Sequence, residues 1–231
     1  MKPDADVALW EYYQRENPAY FERTSRDKVG VLARRIRRLT RPGDRLCEVG
    51  LGSGGMLQRL RPGRQVMGVD LCAAAVEYLR RKPELQGVDL RQGDICALGS
   101  VARDLDAVVS IDVIEHLDDT QLPQAVAEVA KALRPGGRWF INVPWAEELK
   151  TNEIICPHCR QTFHRVGHKQ SFDEPRLRAL LEAGGFRVES VKRMYFANFA
   201  LPAPIMLAYR LLARIYFRNY AAMFVVAAKA R

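Results

Sequence analysis

An acid and three alternating glycines, Glu48, Gly50, Gly52 and Gly54, are the residues whose spacing most directly implies a ligand. They follow the apolar pair Leu46-Cys47, fit for a buried strand, and precede Met56 to Leu60, which can open a helix that Pro62-Gly63 stops. Strand, glycine turn and helix N-terminus together make a nucleotide site, because glycine lets the backbone turn tightly and approach a ligand. Alone the pattern is weak, since tight strand-to-helix turns need glycine on steric grounds too. A second cluster lies far along the chain: Cys156, Cys159, His164 and His168. Cys-Pro-His-Cys forms a knuckle that aims two thiolates at one point, and two imidazoles complete a tetrahedral zinc site. The pairs are too close to enclose a recognition helix, so the expected zinc is a structural staple in a loop. A reduced thiol pair on the surface is the alternative.

The elements that must position these groups alternate. Strands are expected near 45–49, 65–70, 88–92, 105–110 and 138–143, and helices near 53–60, 73–81 and 120–133. That order implies a parallel sheet wound on both faces, with ligand at the carboxyl ends of the strands. Asp70 ends the second strand about twenty residues after the glycine turn, where a ribose-binding carboxylate belongs. A strand-terminal acid there has little structural purpose. An upstream helix is signalled from Ser25, with Ser25 as N-cap and Val29, Leu32, Ile36 and Leu39 at helical spacing.

Taken in order, Glu48 with the glycines, Asp70, Gly93-Asp94, the strand running into Asp112-Val113-Ile114-Glu115-His116, and Leu133-Arg134-Pro135-Gly136-Gly137 resemble the class I S-adenosylmethionine-dependent methyltransferases. The resemblance covers roughly residues 25 to 195. A dinucleotide site would explain Gly50, Gly52, Gly54 and Asp70, but not Glu48 or the Gly-Asp pair. The resemblance implies an α/β, Rossmann-like, seven-stranded, mostly parallel sheet with helices on both faces and an antiparallel edge pair, supplied by 186–193 and 221–228. It also implies S-adenosylmethionine as cofactor. Asp70, with Leu71 beside it, would take the ribose hydroxyls, and Asp94 with Ile95 the adenine. Glu48 would take the methionine amino group and hold the turn, while Ser110 and Asp112 line the loop next to the methyl group.

Asp112 to His116 looks like the signature of the small-molecule enzymes of this class. His116 or His168 could take a proton from the acceptor, although a packed or capping His116 fits the sequence equally well. In look-alike enzymes a Gly-His before a Phe-Asp helix start lies near the substrate, as Gly167-His168 does before Phe172-Asp173. His158 or water would then fill the fourth zinc position.

A single methyltransferase domain over 1–231 is expected, with three additions. Residues 1–24 are rich in aromatics and form a lid, or else pack on the sheet edge. Residues 145–172 are the Cys/His insertion. Residues 198–219 form an apolar and basic helix with Arg210, Arg214 and Arg218 on one face, suited to a lid, an interface or peripheral membrane contact. Apolar content of 48% and charge of 27% are ordinary for a globular protein. No apolar run is long enough to span a membrane and no signal-peptide core opens the chain, so the expected location is cytoplasmic. The net charge of +9 fits an anionic acceptor or surface. The leading reading is methyl transfer to a small-molecule acceptor: a lipid, quinone-like, polyketide or glycan intermediate. An RNA or protein methyltransferase and a non-catalytic cofactor-binding module are the alternatives. Nucleic acid ranks below a small molecule because no Asn-Pro-Pro-Tyr or Asp-Pro-Pro-Tyr segment is present, and oligomeric state is left open.

Overall fold

The computed structural model describes residues 5–16, 19–196, 205, 208, 209, 212 and 221–230. Five strands alternate with helices: β1 (Arg45–Val49), β2 (Gln65–Asp70), β3 (Asp89–Gln92), β4 (Leu105–Ile111) and β5 (Leu133–Pro144). They pair in parallel in the order β3-β2-β1-β4-β5. The order reverses between β1 and β4, and the crevice at that reversal is where open α/β sheets place ligands. A small hairpin, β6 (Glu153–Ile155) and β7 (Thr162–His164), stands apart from this sheet. The chain returns through β8 (Phe186–Met194) and β9 (Ala222–Lys229), and β9 inserts antiparallel between β5 and β8.

The helices are α1 (Ala5–Glu16), α2 (Ala19–Leu39), α3 (Gly55–Leu60), α4 (Ala73–Arg80), α5 (Leu98–Val101), α6 (Gln121–Ala132) and α7 (Glu174–Ala183). Strand side chains alternate between faces, so neighbouring residues feed different cores. Val108 and Trp139 face one core with Val126 and Val129 of α6 and Leu177 and Leu181 of α7. Val109 and Phe140 face the other, with Leu32 and Ile36 of α2 and Met56 and Leu60 of α3. Each fully buried aliphatic side chain contributes roughly 1.5–3 kcal/mol, so these two stripes fix which loops meet at the carboxyl edge.

Two expectations change, and a third falls largely outside the described residues. Ser25 is not an N-cap: α2 begins at Ala19, because no glycine or proline interrupts the chain between Pro18 and Gly30. β5 starts at Leu133 rather than 138, where the Gly136 turn (φ 73°) lets the chain leave α6 directly into the sheet. The 198–219 segment lies outside the described residues except for Ile205, Ala208, Tyr209 and Leu212, which are helical. Residues 145–172 form a loop whose two ends meet. Trp145 bridges Phe172, and the Ala146 N–H donates to the Phe172 carbonyl at 2.8 Å. Among the described residues, no helix is long and apolar enough to cross a membrane.

Candidate active site

A cavity of about 480 Å³ opens at the carboxyl ends of β1, β2 and β4. Two groups of loops line it, and they are built differently.

On the glycine-turn side, β1 delivers Glu48, 4% exposed, to the cavity wall. Its carboxylate accepts the Leu57 N–H near the start of α3, and Oε2 has no hydrogen-bond partner among the described residues. Burial, with Asp70 nearby, holds its pKa well above the usual carboxylate range. Gly50 has φ 78°, and a Cβ there would lie 2.5 Å from Val113 Cγ2, so glycine is needed for the loop after β4 to close on the turn. Gly52 lines the cavity, but Gly54 does not. A Cβ on Gly54 would meet Leu85 at 2.7 Å and Leu79 at 3.0 Å, so its place in the pattern is packing.

Asp70 lines the cavity and also has a structural task the sequence did not suggest. Its carboxylate accepts the N–H of Leu51 at 2.7 Å and of Cys72 at 2.9 Å, tying the glycine turn to the end of β2. Asp94 accepts the Cys96 N–H at 2.8 Å and caps the short turn that carries Ile95. Both residues line the cavity, as does half-exposed Leu71. Ser110 does not. It is buried behind the wall, where its Oγ accepts from Trp139 Nε1 at 2.9 Å.

The histidine side joins the loop after β4 to the 145–172 insertion. Asp112 sits at φ 55°, an uncommon conformation for a non-glycine residue. Its carboxylate pairs with Lys28 of α2 and accepts from Asn142 Nδ2 at 2.9 Å. Glu115 is fully buried and neither carboxylate oxygen has a hydrogen-bond partner among the described residues. Burial first, then the Asp112 charge, push its pKa well up. The insertion is pinned to this turn by its backbone: Lys169 and Gln170 N–H donate to the Glu115 carbonyl at 2.8 and 3.0 Å. His116 Nδ1 donates to the Gly167 carbonyl at 3.1 Å, and the Trp10 ring meets the His116 ring edge-on at 4.9 Å. His168 Nδ1 pairs with Glu147. His116 and His168, the two histidines expected to handle a proton, therefore share one cavity wall.

The tetrahedral set Cys156, Cys159, His164 and His168 is not assembled. Among the described residues, the metal-capable groups whose ligand atoms lie within 4.8 Å are Glu115–His116–His168 and Glu147–His164–His168, and neither contains a cysteine. The physical reason is the hairpin. The β6–β7 pairing sets His164 opposite Glu153 at the base, while Cys156 and Cys159 lie in the turn at the other end. At that end the N–H groups of Cys159 and His158 donate to the Cys156 sulfur and lower its pKa, so the knuckle itself does form.

Sequence reasoning missed Lys28 and Glu147. Neither sits in a motif, and both reach the site across long stretches of chain. Trp10 and Tyr13 of α1 line the cavity.

Residues 46–137 match the family model of a methyltransferase domain. A Mycolicibacterium smegmatis protein named a probable S-adenosylmethionine-dependent methyltransferase is 34% identical over 64% of this chain and 53% of its own length. The fatty-acid O-methyltransferase of the same organism is 28% identical over 58% of this chain and 52% of its own. The chain thus spans about half the length of these curated relatives. Among solved structures, a protein named only as "the putative methyltransferase" in its complex with the Haloferax volcanii Trm112 methyltransferase activator superposes with TM-score 0.70, 19% identity and 99% coverage of both chains. The strand order and the structural likeness agree on a Rossmann-like methyltransferase fold, and within it residues 46–137 match a methyltransferase domain.

Proposed function

We propose that this protein transfers the methyl group of S-adenosylmethionine to a small-molecule acceptor that enters the cavity from the histidine side. The observation that carries the reading is one cavity whose wall holds both the Glu48–glycine turn and the His116–His168 pair. Bound S-adenosylmethionine supplies a methyl group already activated by its positive sulfur. The residues present fit it. Glu48 Oε2, buried and without a hydrogen-bond partner among the described residues, beside a turn where a Cβ at Gly50 would strike Val113, suits an ammonium group. Asp70 is held rigid by two N–H donors and keeps lone pairs for ribose hydroxyls, and Asp94 with Ile95 offers an acceptor beside an apolar slot.

The chain's own contribution is alignment and exclusion of water. Trp10 and Tyr13 cover the cavity, and Val166 and Leu117 add apolar wall. Asp112 is fixed by Lys28 and Asn142, so its charge is already compensated before a ligand arrives. His116 and His168 each donate from Nδ1, which leaves Nε2 as the nitrogen with a lone pair in the neutral ring. These lone pairs serve the acceptor's polar group. The mostly apolar wall around them favours a lipid-like or quinone-like acceptor, a direction also supported by the fatty-acid enzyme among the relatives.

Transfer of labelled methyl into an extract of the source cells, fractionated afterwards, tests this. Label in the organic phase, or in small aqueous molecules, is the expected outcome. Label that precipitates and is released by ribonuclease or protease overturns the acceptor class.

A further inference from the structure

Two overlapping groups of ligand-type side chains meet at the histidine side, and their proton positions tell them apart. In the group Glu147, His164 and His168, the ring of His164 accepts the His168 backbone N–H at Nδ1, 3.0 Å away. Its Nε2 therefore carries the ring proton in the neutral form and faces Glu147 Oε1 at 3.3 Å. A protonated nitrogen cannot bind a cation. Glu147 instead holds His168 through Nδ1, and its other oxygen lies 3.3 Å from His164 Nε2, which makes no hydrogen bond among the described residues.

The other group has the opposite tautomers. His116 is fixed with its proton on Nδ1 by the Gly167 carbonyl, and His168 with its proton on Nδ1 by the Glu147 carboxylate. In the neutral rings the nitrogen that carries the lone pair is then Nε2 in both. Metal-binding histidines characteristically donate their other N–H to a carboxylate or a backbone carbonyl, and here one histidine uses each kind. A ligand atom of Glu115 lies within 4.8 Å of one from each ring. Glu115 supplies an independent sign: a fully buried carboxylate with no hydrogen-bond partner for either oxygen among the described residues. Buried groups of that kind call for a missing counter-charge.

The geometry points to a divalent-cation site made by Glu115, His116 and His168, with Glu147 and the Gly167 carbonyl setting the ring orientations. The donor set of two imidazoles and one carboxylate selects a borderline transition ion such as Zn²⁺, Co²⁺ or Fe²⁺ over Mg²⁺ or Ca²⁺. Three protein ligands leave coordination positions open to the cavity, as in catalytic rather than structural sites. The acceptor then binds through an oxygen, a hydroxyl or carboxylate, and a bound hydroxyl gives its proton to solvent more readily. This inference rests on the methyltransferase reading for its purpose, but not for its existence, since the ion binds whether or not methyl transfer occurs.

The test is Co²⁺ titration of the chelator-treated full chain, followed by visible absorption, with S-adenosylmethionine affinity measured on the same samples by calorimetry. The expected result is stoichiometric Co²⁺ with ligand-field bands, displaced by Zn²⁺ and abolished in His116→Ala and Glu115→Gln. Glu147→Gln should weaken Co²⁺ binding about 10–100-fold, and Cys156→Ser with Cys159→Ser should leave it unchanged. Absence of bound Co²⁺ while the cofactor still binds overturns the site and spares the methyltransferase reading. Bands that survive His116→Ala, or vanish in the double cysteine variant, overturn it by placing the ion elsewhere. Stoichiometric Co²⁺ with no cofactor affinity supports the site and removes the methyltransferase reading.

Discussion

The two sides of the cavity were assembled by opposite rules. The glycine-turn side is local: Glu48, Gly50, Asp70 and Asp94 each sit at or just beyond the end of a strand, and each strand announces itself in the sequence. The histidine side is made by residues from α2, the β4 loop, the end of β5 and the 145–172 insertion, joined by backbone hydrogen bonds to the Glu115 carbonyl. A pattern read along the chain captures the first kind of site and only fragments of the second. The comparison also separates two kinds of effect, since damage on one side should fall on cofactor affinity and strongly on the fold, and on the other on transfer with cofactor affinity kept.

The sharpest break of that division is Asp70→Ala. Its carboxylate accepts two backbone N–H groups, and a hydrogen bond to a charged group contributes roughly 1.5–3 kcal/mol. The variant should lose about 3 kcal/mol or more in urea unfolding, together with measurable cofactor affinity in calorimetry. Normal stability and affinity would show that the turn does not depend on β2. Gly50→Ala comes next. A side chain at that positive φ costs about 1–2 kcal/mol, and the Val113 contact adds to it, so both Tm and cofactor affinity should fall. On the histidine side, His164→Ala removes the acceptor of the His168 N–H, and the expected loss is about 1 kcal/mol. Its cofactor affinity should match that of the parent while methyl transfer drops. A parallel fall in both would erase the distinction between the sides.

Glu48 gives a pH signature. Its pKa is raised in the folded chain, so the folded state holds the proton to a higher pH than the unfolded state does. Its contribution to stability therefore declines as pH rises from the ordinary carboxylate range toward the raised value. Glu48→Gln should remove that share of the decline in Tm against pH. A cationic ligand at the same carboxylate favours the ionised form, so cofactor binding should release a proton, seen as buffer-dependent heat. The smallest effect belongs to the cysteines: Cys156→Ser with Cys159→Ser should leave Tm and cofactor affinity unchanged. A large loss of Tm would revive a structural metal at the hairpin turn.

What could be read from the sequence follows the same line. The alternating strands and helices come from apolar runs and turn residues that act over short distances, whereas the antiparallel edge pair is an expectation of the family resemblance. Ser110 stands on β4 but faces the core, because whether a strand-end hydroxyl meets ligand or core depends on Trp139, twenty-nine positions away. Gly54 belonged to the motif, yet its neighbours Leu79 and Leu85 give it a packing task. The cysteine and histidine spacing suggested one tetrahedral centre because spacing carries no information on register. Once β6 pairs with β7, the thiols and the imidazoles occupy opposite ends of the same hairpin. Glu147 had no signal at all, being one acid among twenty-seven acidic residues until the fold brings it to His168.

The bridge between Trp145 and Phe172 has a consequence for how such a protein changes over generations. Because the insertion leaves and re-enters the scaffold at adjacent points, its interior can be lengthened, shortened or exchanged without shifting β5 or α7. The groups it brings to the cavity, His168 and Glu147, would travel with it as a cassette. Glu48, Asp70 and the glycine turn would stay behind as a common socket. New acceptors could then be acquired by replacing a single contiguous stretch of gene, with the machinery that holds the methyl donor untouched.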